Sequence, residues 1–329
     1  MQVLITDFAW KDLDIEEDVL TQAGIAIVVA ETASEEELLQ LAPAADGILT
    51  CWRPVSGKVI GKAGRCLSIG RFGIGLDNID VAAATDSGMI VTNVPAYCID
   101  EVSDHAMALL LSCTRKIAFY DRNIKAGSYN LQAGTPLFRL RGRTLGIVGF
   151  GRIGSALSLK ARAFGLNIVV YDPNIASDRI SQAGAVAVSF PELLKKSDFI
   201  SIHVPLSVET SRLFDYNAFR EMKPSAVIIN TSRGDVIDSA GLLAALNEGL
   251  IAGAGLDVLS KEPPAPGDGL TGHPKTVITP HAAFNSEESL VELRKTAATQ
   301  MADVLCGRKP QNIVNADVLK SPALRWHAS

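Results

Sequence analysis

The cysteines of this chain fall into no pattern that a disulfide framework or a metal site would use. Cys51, Cys66, Cys98, Cys113 and Cys306 are odd in number and include no CxxC pair. Reduced thiols, a cytoplasmic setting and no bound metal are therefore expected. The chain also lacks any run near the roughly 20 apolar residues that cross a bilayer. Its opening, Met1–Asp7, has neither a cationic stretch nor a long apolar one, so no signal peptide is expected. No basic stripe stands out, and the net charge of −5 argues against a nucleic-acid surface. No low-complexity tract appears. With 47% hydrophobic and 20% charged residues, the composition is that of a packed protein rather than a disordered one.

What is present is length and alternation. A chain of 329 residues suits two domains of about 100–200 residues each better than one core. In the first part Val3–Thr6, Ile25–Val29, Gly47–Thr50, Leu67–Gly70 and Met89–Thr92 read as short strands, most of them β-branched-rich. Helical stretches such as Asp14–Ala23 and Ser34–Leu41 separate them, and Ser34 followed by Glu37 is a capping-box pattern. Strand–helix alternation implies parallel strands with right-handed crossovers, here a flavodoxin-like unit. From Glu101 to about Lys125 one long helix is expected, with Val102, Ala106, Leu109, Leu110, Cys113 and Ile117 on a stripe. The second part repeats the alternation through Thr144–Val148, Ile168–Tyr171, Phe199–His203, Val227–Asn230, Gly255–Val258 and Val277–Thr279, the strand set of a Rossmann sheet. Pro263–Gly269 is a loop, a long helix runs from after Asn285 to about Leu305, and Pro310–Asn315 returns the chain to the first domain. The fold class is α/β, with two doubly wound domains.

The sequence Gly149-Phe150-Gly151-Arg152-Ile153-Gly154 lies between a strand and a helix. In that context it is a dinucleotide fingerprint. Gly149 permits the tight turn, Gly151 lets the backbone approach a pyrophosphate, and Gly154 allows close helix–strand packing; the helix N-terminus supplies free N–H groups. Asp172, closing the next strand, is placed to accept both ribose hydroxyls and to repel a 2′-phosphate, which points to NAD.

Behind the fingerprint stand Arg233, Glu262 and His281, in that order. Arg233 follows a strand's carboxyl end, where doubly wound sheets bind ligands, and a guanidinium grips a carboxylate by two parallel hydrogen bonds. His281, past another strand end, can give a proton to a developing alkoxide and reclaim it in reverse. Glu262 can hold the far ring nitrogen, favour the imidazolium and fix its orientation. Taken singly each is an ordinary structural residue; the set is what reduction of a 2-keto acid needs. The remaining histidines read more plainly: His203 lines the cofactor groove, His105 packs in the long helix, and His273 and His327 belong to loop and tail.

These residues resemble the D-isomer-specific 2-hydroxyacid dehydrogenases over nearly the whole chain. The likeness runs through Gly73–Asp80, Asn93-Val94-Pro95, the Gly149 fingerprint, His203-Val204-Pro205, Asn230–Gly234, Leu256-Asp257-Val258 with Glu262-Pro263-Pro264, and Thr279-Pro280-His281. It implies a substrate domain built from both chain ends, 1–98 and 286–329, and an NAD domain over 99–285, with the cleft between them and a homodimer formed through the NAD domains. It further implies that Ile74 and Gly75 meet the substrate carboxylate together with Arg233. Asp257 would contact the nicotinamide amide, with His203, Val204, Thr231 and Ser232 along the cofactor. Arg71 and the stretch His281–Glu287 look like the C-terminal-binding-protein branch, in which tryptophan stands where this chain has Phe284. An aromatic there would wall a substrate pocket suited to an apolar side chain. The expected activity is reversible, NAD-dependent reduction of a 2-keto acid to the D-2-hydroxy acid. Two alternatives are an NAD(H)-responsive binding protein and a phosphite- or formate-type dehydrogenase on the same fold.

Overall fold

The computed structural model describes residues 1–327, which form two compact units: Met1–Tyr97 with the chain from Ser286 onward, and Cys98–Asn285. In the first unit β1 (Gln2–Ile5), α1 (Asp14–Gln22), β2 (Ala26–Val29), α2 (Glu35–Leu41), β3 (Gly47–Thr50), α3 (Gly57–Lys62), β4 (Ser68–Arg71), α4 (Val81–Asp86) and β5 (Ile90–Thr92) alternate. All strands are parallel in the order β2-β1-β3-β4-β5, the flavodoxin-like winding. Strands β3, β4 and β5 are buried along their whole length, as a sheet covered on both faces requires. The C-terminal helix Glu287–Leu305 packs on α1, β3 and β4 of this unit. Arg294 from that helix bonds the fully buried Glu16 of α1 at 2.8 Å, so the two chain ends share one core. Asn315 completes the return, accepting from Val91 N–H and donating to the Met89 carbonyl.

The second unit contains α5 (Ile99–Arg115), α6 (Ile117–Lys125), β6 (Thr144–Val148), α7 (Arg152–Ala163), β7 (Asn167–Tyr171), α8 (Ser177–Gln182), β8 (Val186–Ala187), α9 (Phe190–Lys196), β9 (Phe199–Ile202), α10 (Tyr216–Glu221), β10 (Val227–Asn230), α11 (Ser239–Glu248), β11 (Gly253–Leu256) and β12 (Thr276–Ile278). Its parallel sheet has seven strands in the order β12-β11-β10-β9-β6-β7-β8, the doubly wound Rossmann order with one strand added. One apolar layer, including Leu109, Leu145, Leu157 and Ile168, lies on the α5–α7 face, and another, including Phe214, Phe219, Leu242 and Leu246, on the face of α10 and α11.

Three local expectations differ from the structure. The long helix breaks at Lys116, whose φ of 56° ends α5 and turns the chain into α6. The sheet gains β8, an edge pair of two residues too short to show a period. At α2 the Ser34 side chain does accept the Glu37 N–H, but the Glu37 carboxylate turns to the N–H groups of Glu31, Thr32 and Ala33 instead of closing the box. None of the five cysteines is in a disulfide, and burial pushes the Cys51, Cys66 and Cys113 thiols up to about 12. Among the described residues no helix is long and apolar enough to cross a membrane, and no cluster of histidine, cysteine and carboxylate side chains could hold a metal ion.

Candidate active site

Gly149 closes β6 with φ 91°, where any side chain would be strained, and a Cβ there would press on the His203 backbone and Val204. That absence lets the ends of β6 and β9 touch. Gly154 serves in the same way one turn into α7, where a Cβ would strike the Gly149 carbonyl. A Cβ on Gly151, by contrast, would point into open space beside the N-terminus of α7, and Arg152 and Ile153 begin that helix. Asp172, just past β7, accepts the Phe150 N–H at 2.7 Å and the Asn174 N–H at 2.9 Å, so it shapes the glycine turn as well as standing beside it.

His203 follows β9 with Nε2 at 2.8 Å from Ser201 Oγ. Desolvation holds its imidazole down at about 4, so the ring is neutral near pH 7. The unfolded chain protonates histidine near 6.5, so His203 favours the folded state fully above about 6.5. That contribution is lost as pH falls towards 4. Thermal unfolding across pH 7 to 4.5 should therefore show a falling Tm, with a shallower slope in His203→Gln. An unchanged slope in that variant would remove His203 as its source.

At the end of β10 the fully buried Asn230 folds the following turn. Its Oδ1 accepts from Ser232 N and Oγ at 3.0 and 2.9 Å, and its Nδ2 donates to the Arg233 carbonyl at 2.8 Å. The Thr231 hydroxyl between them is buried without a partner in the protein. Arg233 itself donates from Nη1 to the Ser232 carbonyl at 2.8 Å. Gly234 has no Cβ because one would collide with the Leu259 backbone. Leu259 N–H in turn donates to Glu262 Oε1 at 2.8 Å, so the loop bearing Glu262 is seated against the turn bearing Arg233.

Glu262 Oε2 lies 2.7 Å from Nδ1 of His281. Burial works to raise the Glu262 carboxyl, but the His281 hydrogen bond and charge, the Leu259 N–H and the Arg233 charge outweigh it and hold it below its usual range. His281 has φ 54°, uncommon for a side-chain-bearing residue, and its N–H donates to the Asp257 carbonyl at 2.8 Å. The Phe284 ring meets the His281 ring edge-on, with centroids 6.3 Å apart. Asp257, expected at the nicotinamide amide, has its buried carboxylate taken up by Thr279 Oγ1 at 2.6 Å and by the Ala282 and Ala283 N–H groups at 2.9 Å each. It holds the turn that carries His281.

Arg233, Glu262, His281 and Phe284, with the glycine turn and Asp172, thus all belong to one unit, at the carboxyl ends of its strands. Arg71, Ile74 and Gly75 belong to the other. There Arg71 is 5% exposed, its Nε donates to Asn78 Oδ1 at 3.1 Å, its Nη1 donates to the Phe72 carbonyl, and its guanidinium lies over the Trp52 ring. Ile74 and Gly75 are half-buried in the loop that follows, with the Ile74 carbonyl accepting from Asn93. Arg71 therefore props that loop from beneath. Asn230 and Thr279 are working residues of the site that no motif assigns a role. A polar residue closing an otherwise apolar, fully buried strand was the available signal for Asn230.

The residues present fit a dinucleotide. The glycine turn leaves Gly151 open beside a helix N-terminus, and an orphaned hydroxyl, Thr231, sits at the end of β10 in the same sheet, with β9 between β10 and β6. Comparison with known proteins agrees. The family described as D-isomer specific 2-hydroxyacid dehydrogenase, NAD binding domain, matches residues 107–283. A glyoxylate reductase of Korarchaeum cryptofilum is 39% identical over 271 residues, 81% of this chain and 81% of that protein. A D-3-phosphoglycerate dehydrogenase of Archaeoglobus fulgidus is 35% identical over 91% of this chain, which spans only 56% of that longer protein. Among solved structures, a D-lactate dehydrogenase from Aquifex aeolicus complexed with NAD and lactic acid superposes with a TM-score of 0.86 at 26% identity, over 95% of this chain and 99% of that one.

Proposed function

The chain belongs to the D-isomer-specific 2-hydroxyacid dehydrogenase family, and on that premise we propose that it reversibly reduces a small 2-keto acid, glyoxylate first among them, with His281 as the proton donor. It is an NAD-dependent oxidoreductase. The product has the D configuration wherever the new alcohol is chiral. The observation that carries the reading is the 2.7 Å contact between Glu262 and Nδ1 of His281, on a loop seated against the Arg233 turn. The choice of glyoxylate is supported by the glyoxylate reductase of Korarchaeum cryptofilum at 39% identity and one of Thermococcus litoralis at 40%, each matched over about four-fifths of its length.

NAD, held by the Gly149–Gly154 turn, Asp172 and the strand ends at His203-Val204 and Thr231-Ser232, supplies the hydride when bound. Arg233 grips the substrate carboxylate and so presents the ketone carbon in one orientation. His281, its Nδ1 fixed by Glu262, offers Nε2 to the ketone oxygen and delivers a proton as negative charge develops there. In the reverse direction the same nitrogen takes the proton back. Glu262 keeps its own charge throughout and stabilises the imidazolium against which the proton moves. Asp172 disfavours a 2′-phosphate by charge.

The test is loss of NADH absorbance with glyoxylate, hydroxypyruvate, pyruvate, the 2-keto acid of 3-phosphoglycerate and branched 2-keto acids, with NADPH run in parallel. Turnover of glyoxylate with NADH preferred is the expected result. NADH binding without turnover of any keto acid would favour a sensing role over catalysis, and equal use of NADPH would remove the role given to Asp172.

A second copy of the chain is the partner inferred for the α6 side of the NAD-binding unit. No residue of α6 is buried, and Ile117, Ile124, Tyr129 and Leu131 on it and just beyond are 57%, 54%, 93% and 76% exposed. Large apolar side chains this exposed on one helix and the segment after it suit a protein partner. Sedimentation should give a dimer that Ile124→Glu with Leu131→Glu dissociates; a monomeric parent protein would overturn this assignment.

A further inference from the structure

A hydroxyl carries one proton, and Thr279 stands between two partners that both compete for its oxygen. Thr279 Oγ1 lies 2.6 Å from Asp257 Oδ1 and 2.8 Å from Nε2 of His105 on α5. An Asp257 carboxylate that already receives the Ala282 and Ala283 N–H groups is an acceptor, so the threonine proton points to it. The Thr279 oxygen is then left to accept, and His105 must carry its proton on Nε2. The result is a chain of donors running one way, from His105 through Thr279 to Asp257. His105 Nε2 is also 3.5 Å from Asp257 Oδ1 itself, so any positive charge on this ring strengthens the same anchor.

The carboxylate at the end of the chain is 1% exposed. Its two oxygens and its own carbonyl hold three consecutive N–H groups, those of His281, Ala282 and Ala283. His281 sits in that turn at φ 54°, a backbone state that the surroundings must impose. Nothing on β12 or in the turn itself supplies a donor to the Thr279 oxygen; it comes from α5, which packs against β10, β11 and β12. A helix thus reaches across to the loop that bears the proposed proton donor, with a side chain whose geometry allows only one tautomer in its neutral form.

We propose that His105 is a positioning residue for the reaction: its Nε2–H orients the Thr279 hydroxyl onto Asp257 and so fixes the turn that aims His281. This rests on the proton-donor role assigned to His281 above. His105 touches neither Glu262 nor the His281 ring in the structure's hydrogen bonds, so its effect passes only through the turn.

The experiment compares His105→Leu, His105→Gln, Thr279→Val and the double variant His105→Leu/Thr279→Val in the full chain, with Tm, NADH dissociation constant, kcat and KM measured for each. Misplacement of a reacting group by about an ångström costs roughly 100-fold. His105→Leu and Thr279→Val should each lower kcat by roughly 10- to 100-fold, with the NADH dissociation constant and KM within about 3-fold of the parent. His105→Gln, which keeps an N–H near the same point, should recover most of the loss. Because both residues act through one chain, the double variant should lose little more than Thr279→Val alone. The primary isotope effect with deuterated NADH should rise in the leucine variant as the chemical step becomes limiting. Parental kcat in His105→Leu, no recovery in His105→Gln, or fully additive losses would each overturn the proposal. If the leucine variant does not fold, His105→Asn, whose shorter amide cannot reach Thr279, carries the same comparison with His105→Gln. A parent enzyme with no 2-keto acid turnover would instead overturn the function itself, so the two failures are distinguishable.

Discussion

Replacing His281 by alanine should lower kcat by about 10²- to 10⁴-fold, the range for removing a positioned general acid, while NADH binds as before. The residue is held at ring and backbone. Glu262 takes Nδ1 at 2.7 Å and the Asp257 carbonyl takes the backbone N–H at 2.8 Å, which assigns proton transfer to the other ring nitrogen, Nε2. Alanine removes that nitrogen and leaves the glycine turn, Asp172 and the strand ends untouched, which is why binding and turnover should part company. Glu262→Gln should fall between, because the amide can still accept from Nδ1–H but brings no charge. The pH dependence has a definite sign. The Glu262 carboxyl lies below its usual range, so its charge is in place above that range and is lost only as pH falls through the lowered value. The acid limb of the kcat/KM profile should therefore move on Glu262→Gln, and a profile identical to the parent's would detach Glu262 from the proton transfer. A fully active His281→Ala would end the mechanism.

The parts of this arrangement that were legible in the sequence are those written locally. Glycines at 149, 151 and 154 between a strand and a helix state their own geometry: at Gly149 only a missing Cβ lets β6 and β9 meet, and at Gly154 only a missing Cβ lets α7 approach the Gly149 carbonyl. Short apolar runs separated by helices carry both windings, and strand ends shift by one residue at most except at β11, which begins and ends two residues earlier than expected. The limits are physical. A single lysine at φ 56° splits the expected helix, and Ile117 beyond it is exposed, because an apolar pattern in the sequence states neither backbone dihedrals nor what covers each face. A two-residue edge strand has no period to detect. His105 looked like packing because the residues that give it work, Thr279 and Asp257, lie far along the chain and meet it only once the sheet has formed. The burial of Asp257 and Arg71, and the donors and acceptors that hold them, likewise depend on loops arriving from elsewhere in their own units.

Arg233→Lys should cost about 10- to 150-fold in kcat/KM with little change in Tm, and the reason lies in shape rather than charge. Hydrogen bonds to charged groups are worth about 1.5–3 kcal/mol each, and lysine's single ammonium point can replace one arm of the guanidinium fork but not the parallel pair. The turn holding Arg233 is built mainly by groups other than its side chain: Asn230 binds the Arg233 carbonyl and the Ser232 N–H, and Gly234 lets Leu259 close behind it, with the Nη1 bond to the Ser232 carbonyl as an addition. Lysine therefore leaves most of the support of this turn in place. Arg233→Ala should lose more, since it also removes a cation that helps to hold Glu262 ionised, and added guanidinium should restore part of its turnover. The second readout is selectivity. A simple aldehyde carries no carboxylate to grip, so the preference for glyoxylate over an aldehyde should narrow in Arg233→Lys. Equal loss on both substrates would mean that Arg233 acts through Glu262 alone, and unchanged kcat/KM in the lysine variant would mean that the fork is not used.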